Sequence, residues 1–116
     1  YVIVEGVGGW LVPISGNQTI AEIPSRLNLP VILVVGIKLG CINHALLTAN
    51  AIRANGNNLI GWIANQIDPE MTAYDENLQT LKAMLACPLI AHIPYFNNEQ
   101  NDPNRPININ LNVLKS

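Results

Sequence analysis

Residues 29–52 read "LPVILVVGIKLGCINHALLTANAI", and the fold class turns on this stretch. Val31–Val35 is a continuous apolar run with no polar alternation, the pattern of a strand buried on both faces of a parallel sheet. From about Ile42 to Ala54 the period becomes helical. Ile42, Ala45, Leu46, Ala49 and Ile52 share one stripe, and Asn55-Gly56 supplies the stop. Strand, glycine-punctuated loop and helix in that order form the first part of a βαβ unit.

Outward from this stretch the alternation repeats. Strands are expected at Tyr1–Val4, Leu59–Ile63 and Leu89–Ile93, each rich in Val, Ile or Leu. A helix is expected from about Thr72 to Leu85, where Tyr74, Leu78, Leu81 and Leu85 are spaced by four, three and four. Another is expected over roughly Thr19–Leu27, with Pro24 either in its first turn or kinking it. The expected fold is α/β, one domain, with a mainly parallel sheet covered on both faces and no internal repeat or linker. The tail after Phe96 is polar and rich in Asn, with a short closing segment at Ile107–Leu114.

Composition narrows the function classes. Of 116 residues, 49% are apolar and 12% charged, with a net charge of −2, which argues against disorder. Six scattered Lys and Arg cannot give a sequence-independent grip on nucleic acid. The longest apolar run, Leu29–Ile37, contains a proline and a glycine and is too short to span a bilayer. No signal-peptide pattern opens the chain. Cys41 and Cys87 form no CxxC and have no His at ligand spacing, so free thiols in a reducing cytoplasm are expected.

Each expected strand runs into chemically usable residues, and a doubly wound sheet gathers such loops along one edge. Tyr1–Val4 leads to Glu5 and then Gly6-Val7-Gly8-Gly9, where absent Cβ atoms allow a sharp turn and close approach to a ligand. "GIKLGCINHALLTA" (36–49) puts the amides of Cys41, Ile42 and Asn43 in a first helical turn, free of internal acceptors and at the positive end of the helix dipole. Such a site accepts carboxylate or phosphate oxygens. An ordinary helix start is the simpler reading of those residues taken alone. Asn65, just past a strand, carries an amide suited to the edge of a purine, although a turn-forming Asn is commoner. Pro94-Tyr95 makes a stiffened turn with an aromatic beside it, equally a core feature. Nothing matches GxxxxGK[ST], and no nucleophile elbow or catalytic triad stands out.

Taken in order, "VEGVGGWLVP" (4–13), the 29–52 stretch, "GWIANQIDP" (61–69), "ENLQTL" (76–81) and "IPYF" (93–96) resemble dethiobiotin synthase, an ATP-dependent cyclo-ligase family. The resemblance covers about residues 1–96. It implies the C-terminal half of a P-loop NTPase-like three-layer fold, the N-terminal P-loop half lying outside this chain.

What the resemblance implies can be placed residue by residue. Glu5 is similar to the family's Mg²⁺ ligand. Gly6, Val7, Gly8 and Gly9 resemble the loop that faces the γ-phosphate and the reacting carbamate, with Val7 where Ala is frequent. Asn65 and Gln66 stand at the adenine-reading position, Pro94, Tyr95 and Phe96 at the segment enclosing the base, and Glu99 near the ribose. The reaction implied uses ATP and Mg²⁺ to join CO₂ to 7,8-diaminopelargonate as a cyclic urea. The family is homodimeric, and Cys41, Ile42 and Asn43 of one subunit would hold the substrate carboxylate at its partner's site, helped by Asn77. The 116 residues alone are expected to be inactive. The alternative is a non-catalytic regulatory or dimerisation module of the same fold.

Overall fold

Strand β3 (Val31–Ile37) pairs in parallel with β4 (Leu59–Gln66), which pairs in parallel with β5 (Leu89–Ile93), so β4 is central. The computed structural model describes residues 1–97 and 106–115. Ahead of this sheet, β1 (Pro13–Ser15) and β2 (Gln18–Thr19) form a small antiparallel hairpin that leads into helix α1 (Glu22–Leu27). Helices α2 (Cys41–Ala54) and α3 (Tyr74–Met84) connect β3 to β4 and β4 to β5. The expected α/β class with a parallel sheet is what forms.

The helices pack on the sheet face that carries Leu33, Val35 and Ile37 of β3 together with Trp62 and Ala64 of β4. Ile52 of α2 and Leu81 and Leu85 of the α3 stripe close over them, and with Trp62 and Ile37 they are the largest fully buried side chains. Fully burying one such side chain contributes about 1.5–3 kcal/mol, so this single layer supplies most of the cohesion.

Local signals set the helix boundaries. Pro24 falls in the first turn of α1, where its missing N–H breaks no ladder bond. After α2, the Asn55 amide donates to Ala51 O and the Gly56 amide to Arg53 O, with Gly56 at φ 76°, so the glycine performs the stop. The tail closes on β5: Ile109 bridges Ala91 antiparallel, the Asn110 amide donates to Ile90 O at 2.8 Å, and a 3₁₀ helix (Leu111–Lys115) follows.

Two expectations are corrected. Tyr1–Val4 is not a strand: its residues pair with no neighbour, and Tyr1, Val2 and Ile3 are more than 90% exposed. An apolar run becomes a strand only where a neighbour takes its backbone hydrogen bonds, and none of the described strands lies beside it. Among the described residues the sheet is also not covered on both faces along β3. Burial there alternates, with Ile32 37% and Val34 58% exposed on the face away from the helices. The outer edge of β3 has no partner strand among the described residues.

Candidate functional site

The carboxyl ends of β3, β4 and β5 and the first turns of α2 and α3 lie along one edge, since each helix follows its strand through a parallel connection. Asn65 occupies the penultimate position of β4, in register with Gly36 on one side and Ile93 on the other. It is half-buried, and its amide makes no hydrogen bond among the described residues. Next to it, Gln66 Oε1 accepts from the Tyr95 amide at 3.3 Å, which ties the end of β4 to Pro94, Tyr95 and Phe96 after β5. A half-buried amide with no partner among the described residues, beside a backbone held by its neighbour, has a donor and an acceptor free for a ligand. Gly36 matters to this corner: a Cβ there would meet Ile67 Cδ1 at 2.8 Å, just past Gln66.

A second group sits at the starts of the helices. Gly40 precedes α2 at φ 88°, a left-handed value that favours glycine, and no side chain caps the helix. The Cys41 amide is not free, because it donates to Lys38 O at 3.0 Å. This corrects the expectation of three open amides. The GIKLG turn closes on itself and spends the first one, leaving Ile42 and Asn43 without acceptors among the described residues. The Cys41 side chain is buried in the core, whereas Asn43 is exposed. Lys38 is exposed beside this turn and forms no ion pair among the described residues. Asn77, in the first turn of α3, folds its amide back so that Nδ2 donates to Ala73 O at 2.8 Å.

The glycine loop lies along α2. Gly8 and Gly9 adopt φ 90° and 115°, so both need the freedom expected of them. A Cβ at Gly8 would also touch Val12 Cγ2 at 3.0 Å. The two glycines and Trp10 border a shallow, mainly apolar cleft of about 270 Å³ with His44, Leu47 and Thr48, on the flank of α2. Glu5 is exposed, with no partner among the described residues. No strand precedes Glu5 among the described residues, and no hydrogen bond or ion pair among them links it to Asn65 or the α2 start. Among the described residues no three His, Cys, Asp or Glu cluster as a metal site. A lone carboxylate fits Mg²⁺ only where phosphate and water complete the shell, which is the usual arrangement for that ion. Glu99 lies outside the described residues.

Two features escaped the sequence. Tyr74 and His92 form a side-chain hydrogen bond between α3 and β5. Arg53 reaches from α2 to Leu85 O beside Cys87, whose thiol is pushed up by burial against a smaller opposing pull from Arg53. Neither pair shares an element, and no local spacing announces them. No helix among the described residues is long and apolar enough to cross a membrane.

A family profile described as "AAA domain" matches residues 1–102. The chain is 47% identical over 114 residues to the ATP-dependent dethiobiotin synthetase BioD of Nitrosospira multiformis, covering 98% of this chain and 49% of that protein. It is 54% identical over 94 residues to the protein of the same name from Xanthomonas euvesicatoria pv. vesicatoria, covering 81% and 42%. With that of Xanthomonas campestris pv. campestris strain B100 the figures are 52% over 99 residues, 85% and 44%. The chain thus spans about half the length of the curated relatives it matches. By the match over residues 1–102 the chain belongs to the AAA domain family, and these three relatives within reach of it are ATP-dependent dethiobiotin synthetases.

Proposed function

We propose that this chain is the C-terminal half of an ATP- and Mg²⁺-dependent dethiobiotin synthetase, acting in biotin biosynthesis in the cytoplasm as part of a homodimer. The observation that carries the reading is the Asn65 corner. Identity near 50% to synthetases coincides there with an unengaged amide and a backbone segment held by Gln66. Asn65 reads the adenine edge, and Pro94, Tyr95 and Phe96 enclose the base, with Glu99 toward the ribose. The amides of Ile42 and Asn43 hold the substrate carboxylate of the partner's site, with Cys41 setting the turn rather than donating, and Asn77 contributes from α3.

The chemistry adds CO₂ to one amine of 7,8-diaminopelargonate, phosphorylates the resulting carbamate from ATP, and closes the urea by attack of the second amine with loss of phosphate. The part asked of these residues is positioning and charge stabilisation, which dominate phosphoryl transfer. Backbone amides of Gly6–Gly9 face the γ-phosphate and the carbamate, and the absence of Cβ atoms permits that approach. Mg²⁺, held in part by Glu5, would neutralise charge on the transferring phosphoryl group. The 116 residues by themselves contain no β-phosphate cradle of the P-loop kind, so turnover requires the longer protein.

The test uses the full-length protein. Asn65→Ala removes one or two hydrogen bonds to the base and should raise the apparent KM for ATP about two- to tenfold while weakening the preference for ATP over GTP. Glu5→Gln should depress turnover at low Mg²⁺ with the fold intact. An unchanged nucleotide preference in Asn65→Ala refutes the adenine assignment. A full-length wild-type protein without turnover favours the non-catalytic module.

A further inference from the structure

One side-chain hydrogen bond crosses from the first turn of α3 to the sheet among the described residues. Tyr74 opens α3, and its hydroxyl lies 2.6 Å from His92 Nε2, the rings 5.8 Å apart and tilted by 38°. His92 stands on β5 opposite Ala64, the residue before Asn65, and two residues ahead of Pro94. Asn77 follows Tyr74 by three residues, so both lie on one side of the helix. The start of α3 is otherwise thinly held. No side chain caps it, and Ala73 sits at φ 58°, a left-handed value that a residue with a Cβ adopts at a cost.

At 2.6 Å the hydroxyl and Nε2 are in close hydrogen-bond contact, and which of them donates follows from the His92 tautomer. The Tyr74 hydroxyl is also pushed up, first by burial and then by Asp75 and Cys41, which keeps its proton in place. A hydroxyl that donates to Nε2 requires the imidazole proton on Nδ1, so the His92 tautomer is the observable that fixes the direction.

We infer that Tyr74 and His92 are a positioning pair, in which the hydroxyl-to-imidazole bond clamps the first turn of α3 to β5 and so fixes Asn77 at the carboxylate end of the substrate site. The inference rests on the role proposed above for Asn77. Neither partner touches the reacting atoms. The clamp works by removing freedom from a helix start that its own backbone leaves strained and uncapped.

The experiment uses the full-length enzyme with Tyr74→Phe, His92→Gln and Asn77→Ala. Long-range nitrogen–proton NMR should show His92 as the Nδ1–H tautomer in the wild type and shifted toward Nε2–H in Tyr74→Phe. Tyr74→Phe should raise KM for the diamine about two- to tenfold, the range of one neutral hydrogen bond, and leave KM for ATP within about twofold. His92→Gln offers an oxygen to the same hydroxyl and should stay near wild type. Adding Tyr74→Phe to Asn77→Ala should change KM no further, because the clamp acts through Asn77. A wild-type Nε2–H tautomer overturns the inference. So does an unchanged KM in Tyr74→Phe where Asn77→Ala raises it, or an additive double variant. An unchanged KM in Asn77→Ala removes the Asn77 assignment itself and the clamp with it, which separates the two failures.

Discussion

Gly61→Ala tests the packing of the strand that carries Asn65 and Gln66. Gly61 is buried on β4, and a Cβ there would lie 2.7 Å from both Cγ1 and Cδ1 of Ile90 and 2.9 Å from Pro88 O. The Ile90 side chain can turn away in part, but Pro88 O is backbone and accepts the Trp62 amide at 3.0 Å. Relieving the overlap therefore strains a ladder bond at the mouth of β5. Overpacking of this kind costs about 1–3 kcal/mol, and the entropic advantage of Ala over Gly in a strand returns about 0.5–1 kcal/mol. The expected net loss is about 1–2 kcal/mol. With a urea m-value of about 1.5 kcal/mol/M, the midpoint should fall by roughly 1 M at unchanged slope. Fluorescence of the buried Trp62 reports the transition. Ile90→Val removes Cδ1, so it should be less costly when combined with Gly61→Ala than in the wild-type background, by about 0.5 kcal/mol or more. A Gly61→Ala midpoint at or above wild type, with the slope unchanged, would refute this account of the β4–β5 junction.

Stability should be flat to about pH 8 and decline above about pH 9. Cys87 and Tyr74 are both raised by burial, so the unfolded chain releases their protons first and alkali favours unfolding. Cys87→Ala and Tyr74→Phe should each flatten the decline in urea midpoints measured against pH, and a decline unchanged in both variants contradicts the cause given. Cys41→Ser should lower stability by about 1–3 kcal/mol through a hydroxyl buried without a partner, yet leave diamine affinity near wild type because the turn to Lys38 O and the Ile42 and Asn43 amides it presents are retained. Equal losses in affinity and stability count against a backbone role. Mixing an Asn77→Ala or helix-start variant with a phosphate-loop-dead partner tests the cross-subunit site: hybrid dimers that form and show no activity above the parents exclude it.

The parallel sheet and the helices were legible because their signals are local. A stripe at Tyr74, Leu78, Leu81 and Leu85, or a stop at Asn55-Gly56, is fixed by neighbours a few residues away. Tyr1–Val4 was misread for the complementary reason. Its composition states a demand for burial, but strand formation depends on a partner remote in sequence. The same limit applies to β3, whose continuous apolar run cannot tell one covered face from two. At the site, the residue types of Asn65 and the glycines pointed to chemistry, and the Gln66–Tyr95 bond shows how two of those segments meet. The spent Cys41 amide and the Tyr74–His92 bond were invisible, since each depends on geometry between residues that no period links.

The outer edge of β3, unpaired among the described residues, sets how the 116 residues taken alone meet other chains. Seven residues, Val31–Ile37, present backbone donors and acceptors with no partner strand among the described residues, flanked by the exposed Ile32 and Val34. Val-Ile-Leu-Val-Val is uncharged, β-branched and free of proline, the composition that templates addition of further strands. In the 116 residues taken alone such an edge is open to strand addition, from another copy or from the rest of the longer protein proposed above. Self-association of the 116 residues alone should rise with their concentration and fall when a charge replaces Val34, which lies outside the helix-packed core.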